Sequence, residues 1–200
     1  VIANRSTGKQ GYAIAIEAVA RGAKVTLIST ADLPTPFGVT LVQVETAQQM
    51  MEAVNAEAKS ADVVVMAAAV ADVRPVRAAM HKLKKDPVTG LICNLGSIEL
   101  EATPDILAGL TKCKPAGQVL VGFAAETENL IANAQSKLER KGADLIVAND
   151  VGAPGVGFAH DTNAVTLLRP DAKPVEIDLA TKRDVARAVI DAVVDGRAPV

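Results

Sequence analysis

The segment Asn4-Arg5-Ser6-Thr7-Gly8-Lys9-Gln10-Gly11 sets small and polar residues ahead of an apolar-periodic stretch. A loop of this kind aims backbone N–H groups and hydroxyls at an anion, and the helix N-terminus behind it favours negative charge. Ser6, Thr7 and Gly8 are the candidate phosphate contacts. The loop is not a Walker A motif, which needs glycine where Ala3 stands and a hydroxyl residue where Gln10 stands. A well-capped helix start remains the plainer reading of the same residues.

A second cluster, Ala67-Ala68-Ala69-Val70-Ala71-Asp72, follows the apolar run that begins at Val63. Small residues at the carboxyl end of a strand let a flat base or a sugar approach the backbone, and a carboxylate there meets a ligand hydroxyl or amine. Tight packing against a neighbouring element is the alternative. Lys82, Lys84 and Lys85 form a charge run. It is either a solvated face or a cationic flap that closes on polyphosphate as movable point charges. Lys137 and Lys141 are four residues apart and share one helical face. That helix follows the strand-end sequence Gly122-Phe123-Ala124-Ala125-Glu126-Thr127, and Asn149-Asp150 ends the next strand. Each signal is weak alone. Together they gather strand ends, an anion-friendly loop and several lysines around one crevice, which favours a nucleotide polyphosphate.

The elements that must position these groups alternate. Val25–Ser29, Leu41–Val44, Val63–Ala69, Val119–Ala125 and Leu145–Ala148 are short, apolar and rich in β-branched residues, and they are expected to be buried strands. Helical patterns lie between them at about Gly11–Gly22, Ala47–Lys59, Pro104–Cys113 and Glu126–Lys141. Gly22 and Gly142 stand where C-terminal caps belong. Thr103-Pro104-Asp105 predicts a capping threonine followed by proline at the first helical position. This alternation predicts a Rossmann-like α/β fold, a doubly wound and mostly parallel sheet with right-handed crossovers. Pro75–Gly96 is charged and turn-rich, and is expected to be a mobile excursion. Ala164–Leu168 and Pro174–Leu179 predict a late β-hairpin, followed by a closing helix over Lys182–Val194.

Composition narrows the function classes. The 200 residues fit one domain, 50% of them hydrophobic but only 2% aromatic, so the core must be Val, Ile, Leu and Ala. A formal charge of −2 without a long basic run argues against a nucleic-acid or anionic-membrane surface. No apolar run approaches the roughly 20 residues that span a bilayer, and no signal peptide opens the chain. Cys93 and Cys113 form no metal-ligand pattern with His81 and His160, and fit free thiols of a reducing, cytoplasmic setting.

The motifs Asn4-Arg5-Ser6-Thr7-Gly8-Lys9-Gln10-Gly11, Ala67–Pro75, Lys82-Leu83-Lys84-Lys85, Pro104-Asp105-Ile106-Leu107, Gly122–Thr127 and Ala148–Val151 occur in the order of a known family. The chain resembles the bacterial phosphopantothenate–cysteine ligases along essentially its whole length. In most bacteria such a unit is the C-terminal half of a bifunctional protein with an N-terminal flavin-dependent decarboxylase, which alone would carry FMN. The resemblance implies a fragment of such a protein without the family's glycine-rich first strand. It implies ligation of 4′-phosphopantothenate to L-cysteine in coenzyme A synthesis, with CTP and Mg²⁺, through an acyl-cytidylate. On this resemblance Asn4 handles the acyl-cytidylate and Lys82 is the catalytic flap lysine, which also contacts CTP. Met66, Ala67, Ala68, Asp72, Pro104, Asp105, Ile106, Leu107, Phe123, Lys137 and Lys141 match CTP-binding positions. The flap has Leu83 where many relatives have isoleucine.

Two rival readings share the fold class. A nicotinamide-dependent oxidoreductase lacks support, since there is no GxGxxG and Tyr12 is followed four residues later by Ile16 rather than lysine. A non-catalytic nucleotide-binding or dimerisation module is the other. A homodimer is expected from the late hairpin, and Asp at both Val165 and Leu167 is expected to disfavour it whichever apolar surface that face meets; a hairpin that merely extends its own sheet is the alternative.

Overall fold

The structure is a computed structural model that describes residues 4, 6–77, 81, 84, 85, 89, 98–152, 156, 157 and 160–196. The chain runs α1 (Lys9–Ala20), β1 (Val25–Ser29), β2 (Val39–Gln43), α2 (Ala47–Glu57), β3 (Val63–Met66), β4 (Val73–Pro75) and β5 (Leu100–Ala102). It continues through α3 (Ile106–Lys112), β6 (Val119–Glu126), α4 (Leu130–Lys141), β7 (Leu145–Asp150), β8 (Thr162–Leu168), β9 (Val175–Thr181) and α5 (Lys182–Asp195). A five-stranded sheet has the order β3-β6-β7-β8-β9; β1 pairs with β2, and β4 with β5, in separate two-stranded sheets. The β1–β2, β3–β6 and β6–β7 pairs are parallel; α3 lies in the β3–β6 connection and α4 in the β6–β7 connection, whereas β1 and β2 are joined by a loop without a helix.

Alternation along the strands divides the core between two faces. Leu120, Ala124, Ile146 and Ala148 join Met50 and Val54 of α2, Leu107 and Leu110 of α3, and Leu138 of α4. Val121, Leu145, Val147, Val165 and Leu167 join Val185, Val189 and Val193 of α5 on the other face. Helices thus cover both sides, which explains why β6 and β7 are apolar almost throughout. Each fully buried Val or Leu contributes about 1.5–3 kcal/mol through burial.

Several boundaries differ from the sequence expectation. Thr103 does not cap α3: its N–H donates to the Asp72 carbonyl at 2.8 Å, tying it to the β4–β5 ribbon. Asp105 is the cap, accepting the Ala108 N–H at 3.0 Å, so Pro104 precedes the helix. Helix α4 starts at Leu130, because β6 runs on to Glu126 opposite Asp150 and Asn129 takes a left-handed φ of 49°. The hairpin β8–β9 is present, yet β8 pairs antiparallel with β7 and extends the chain's own sheet. Val165 and Leu167 lie buried beneath α5, so the surface that this face meets is the chain's own helix, and the alternative of a hairpin extending its own sheet is what the structure has. The β4–β5 ribbon was not foreseen. Most of the expected excursion, Lys82 included, lies outside the described residues.

Candidate active site

The carboxyl ends of β3 and β6 carry most of the groups singled out from the sequence. Gly8 begins α1 with φ +76°, and a Cβ there would sit 2.6 Å from the Ala31 Cβ. Glycine is therefore required both for the left-handed backbone and for the close approach of the loop to the end of β1. Asn4 is exposed, and its Nδ2 donates to the carbonyls of Ala69 at 3.1 Å and Val70 at 3.3 Å. One amide thereby fastens the Asn4–Gly8 loop to the small-residue turn after β3. At Gly11 a Cβ would lie 3.9 Å from Ala67, so α1 passes this turn at van der Waals distance. Tyr12, buried against the same loop, has its hydroxyl 3.4 Å from the carbonyls of Ala31 and Leu33.

The lysine face predicted on α4 turns inward at both positions. Lys137 Nζ donates to the Phe123 carbonyl at 2.9 Å. Burial pushes its pKa below the ordinary lysine value, partly offset by the carboxylates of Glu126 and Asp72 and reinforced by Arg140. Lys141 pairs with the Asp105 carboxylate, whose other oxygen caps α3. Lys137 and Lys141 are thus held against two different elements, with Asp72 close enough to act electrostatically on the first. Ile106 and Leu107 are buried in the core, so a ligand would meet their backbone rather than their side chains. Pro104 is half-buried beside them. Ser6 and Gly8 line a cleft of about 1170 Å³, together with Met66–Ala71. Asn149 is buried.

Sequence reasoning missed a charged group at the other side of the loop. Lys9 Nζ lies 2.6 Å from Asp161 Oδ1, and this hydrogen bond holds the Asp161 carboxyl below its usual range. Lys182 is buried and donates to the Gly157 carbonyl at 3.1 Å; burial, with Lys9 nearby, lowers its pKa. The only advance signal was the position of Lys9 at the start of α1. Among the described residues no group of three His, Cys, Asp or Glu side chains could hold a metal.

The DNA/pantothenate metabolism flavoprotein C-terminal domain family matches residues 1–196. The chain belongs to this family. Within it, the coenzyme A biosynthesis bifunctional protein CoaBC of Mycobacterium tuberculosis is 44% identical over 204 residues, covering 96% of this chain and 47% of that protein. The CoaBC of Bacillus subtilis is 43% identical, covering 94% of this chain and 45% of its own length. The chain thus spans about half the length of the curated relatives it matches. The crystal structure of a CoaBC C-terminal domain superposes with a TM-score of 0.76 at 42% identity, covering 95% of this chain and 83% of that one. A Cab2 variant in complex with phosphopantothenate-cysteine shares the fold, with a TM-score of 0.70 at 18% identity. The family fold agrees with the α/β architecture expected from the strand and helix pattern. No helix among the described residues is long and apolar enough to cross a membrane.

Proposed function

We propose that the chain is a phosphopantothenate–cysteine ligase unit of coenzyme A synthesis that uses CTP. The observation that carries this reading is the arrangement at the ends of β3 and β6. Lys137 is held on the Phe123 carbonyl within electrostatic reach of Asp72, Lys141 is paired with Asp105, and Asn4 is bound to the small-residue turn after β3. The 41–44% identity to CoaBC proteins supports it.

In the proposed reaction the carboxylate of 4′-phosphopantothenate attacks the α-phosphorus of CTP. A carboxyl O–P bond forms, the Pα–O bond to the β-phosphate breaks, and pyrophosphate leaves with the electron pair. The amine of L-cysteine then attacks the acyl carbon, loses a proton, and expels CMP. Attack of one anion on another needs screening by positive charge and a preorganised donor. Lys82, Lys137 and Lys141 supply the charge in this scheme, Asn4 supplies the donor, and Ser6, Thr7 and Gly8 supply phosphate contacts. The small side chains of Ala67 and Ala68 leave room for the base in this scheme, and Met66 and Phe123 add further contacts to CTP. A decarboxylase with FMN would reside on a separate N-terminal domain of the intact protein, and the working unit would be a cytoplasmic homodimer.

The test is exchange of labelled pyrophosphate into CTP by the intact polypeptide. Exchange that depends on 4′-phosphopantothenate and not on cysteine supports the two-step scheme. Absence of exchange under conditions where the protein binds CTP reduces the unit to a nucleotide-binding module.

A further inference from the structure

Helix α4 ends at Lys141, and the last four carbonyls of a helix lack partners within it. The Gly142 N–H donates to the Leu138 carbonyl at 2.9 Å and to the Glu139 carbonyl at 3.3 Å. The Lys141 carbonyl is met from a different part of the chain. Thr111 Oγ1 of α3 lies 2.6 Å from it, against 3.1 Å from the Leu107 carbonyl of its own helix. A threonine hydroxyl has one proton, and within a helix it commonly returns to the carbonyl four residues back. Here the shorter approach assigns that proton to Lys141. Gly142 permits the contact. Its φ is +61°, and a Cβ there would sit 2.7 Å from Thr111 Cγ2, so glycine is what lets the end of α4 come this close to α3.

The side chain of the same lysine returns to the other end of α3. Its ammonium pairs with Asp105, the N-cap of that helix. Lys141 is therefore held at two points six residues apart along α3, its carbonyl near the carboxyl end and its ammonium at the amino end. Lysine is a point charge on a flexible stem, so the place of its ammonium depends on where its main chain is anchored. With the side chain only 16% exposed, little rotamer freedom is left to correct a misplaced anchor. We infer that Thr111 is a positioning residue for the nucleotide site: its hydroxyl fixes the main chain of Lys141 and thereby the point at which the Lys141 ammonium meets CTP. The inference rests on the proposed CTP contact of Lys141 and goes beyond it, because Thr111 acts only through that lysine. Thr111 lies in none of the motifs that suggested the site. A purely structural tie between α3 and α4 is the competing account, and it predicts a different pattern of effects.

A double-mutant cycle on CTP binding separates the two, measured by calorimetry on the intact polypeptide. Lys141→Met is expected to raise the dissociation constant for CTP about tenfold or more, through loss of a charged contact. Thr111→Val keeps the shape and deletes the hydroxyl, and is expected to raise it about fivefold; Thr111→Ser should restore it to within about twofold of wild type. Added to Lys141→Met, Thr111→Val should change CTP affinity no further, because no ammonium remains to be misplaced. The thermal midpoint should fall by the same amount in both backgrounds, since the carbonyl loses its donor in each. Thr111→Ala deletes the same hydroxyl without added bulk and is expected to repeat the result if Thr111→Val does not fold. Wild-type CTP affinity in these Thr111 variants, beside a weakened Lys141→Met, would overturn the inference. So would an equal loss of affinity in both backgrounds, which is what a structural tie produces. Unchanged affinity in Lys141→Met instead sinks the CTP reading of that lysine, and the inference with it.

Discussion

At the residue scale the proposed chemistry places its heaviest demand on Lys82. Replacing it in Lys82→Gln leaves packing unchanged if the lysine is exposed, but removes a charge contact of about 3–4 kcal/mol to the transferring group. Turnover is expected to fall by about two to three orders of magnitude in a steady-state assay, with the thermal midpoint retained. Near-normal turnover would make Lys82 a solvated charge. Lys137 gives a second test, in pH. Its folded pKa lies below the ordinary lysine value because the ammonium is desolvated. Between that depressed value and about 10.4 the unfolded chain binds more protons than the folded one, so the Lys137 contribution to stability rises with pH. Urea titrations of wild type should show this rise across alkaline pH, and Lys137→Met should lack it; identical slopes would contradict the assignment. Spacing made Lys137 and Lys141 legible as one helical face. It gave no hint that one would reach a strand carbonyl and the other a capping carboxylate, because those partners come from other parts of the chain.

At the scale of elements, two local geometries carry predictions. Gly8→Ala forces a side chain into left-handed backbone and against Ala31, and should cost about 1–3 kcal/mol by denaturant titration. Asp105→Asn should keep the cap of α3 while releasing Lys141, leaving stability within about 0.5 kcal/mol. The same change should weaken CTP binding measured by calorimetry, if Lys141 needs that partner for its position. An unchanged CTP affinity would assign the pair to structure alone. The strands β1, β3, β6 and β7 were readable because continuous β-branched runs flanked by helical periodicity have few other interpretations. The β4–β5 ribbon was not. Its two strands have three residues each, one ends in Pro75, and 24 residues separate them, so neither shows a period. The start of α3 was misplaced for a related reason. Thr103 has good capping chemistry, but its N–H is engaged by Asp72 across that ribbon.

At the scale of the whole molecule the proposed dimer needs a surface other than the one that Val165 and Leu167 suggested. Edge strand β9 leaves Val175 and Leu179 more than half exposed, at 54% and 56%. The variant carrying both Val175→Asp and Leu179→Asp should move a dimeric parent toward monomer in light scattering without unfolding it. A dimer that survives would transfer the interface to the β4–β5 ribbon, where Val73, Ile98 and Leu100 are exposed. A monomeric parent would end the proposal. The α/β class was legible from the whole sequence, whereas the separation of the strands into distinct sheets was not, since edge pairing depends on which strand occupies each gap. The sparse aromatic content has a practical use. The sequence contains no Trp and a single tyrosine, Tyr12, whose hydroxyl meets the Ala31 and Leu33 carbonyls beside the Asn4–Gly8 loop. All tyrosine emission from this chain therefore originates at one place on the wall of the cleft. Unlabelled protein already carries its own optical reporter, and its quenching or lifetime can follow events at that loop in real time.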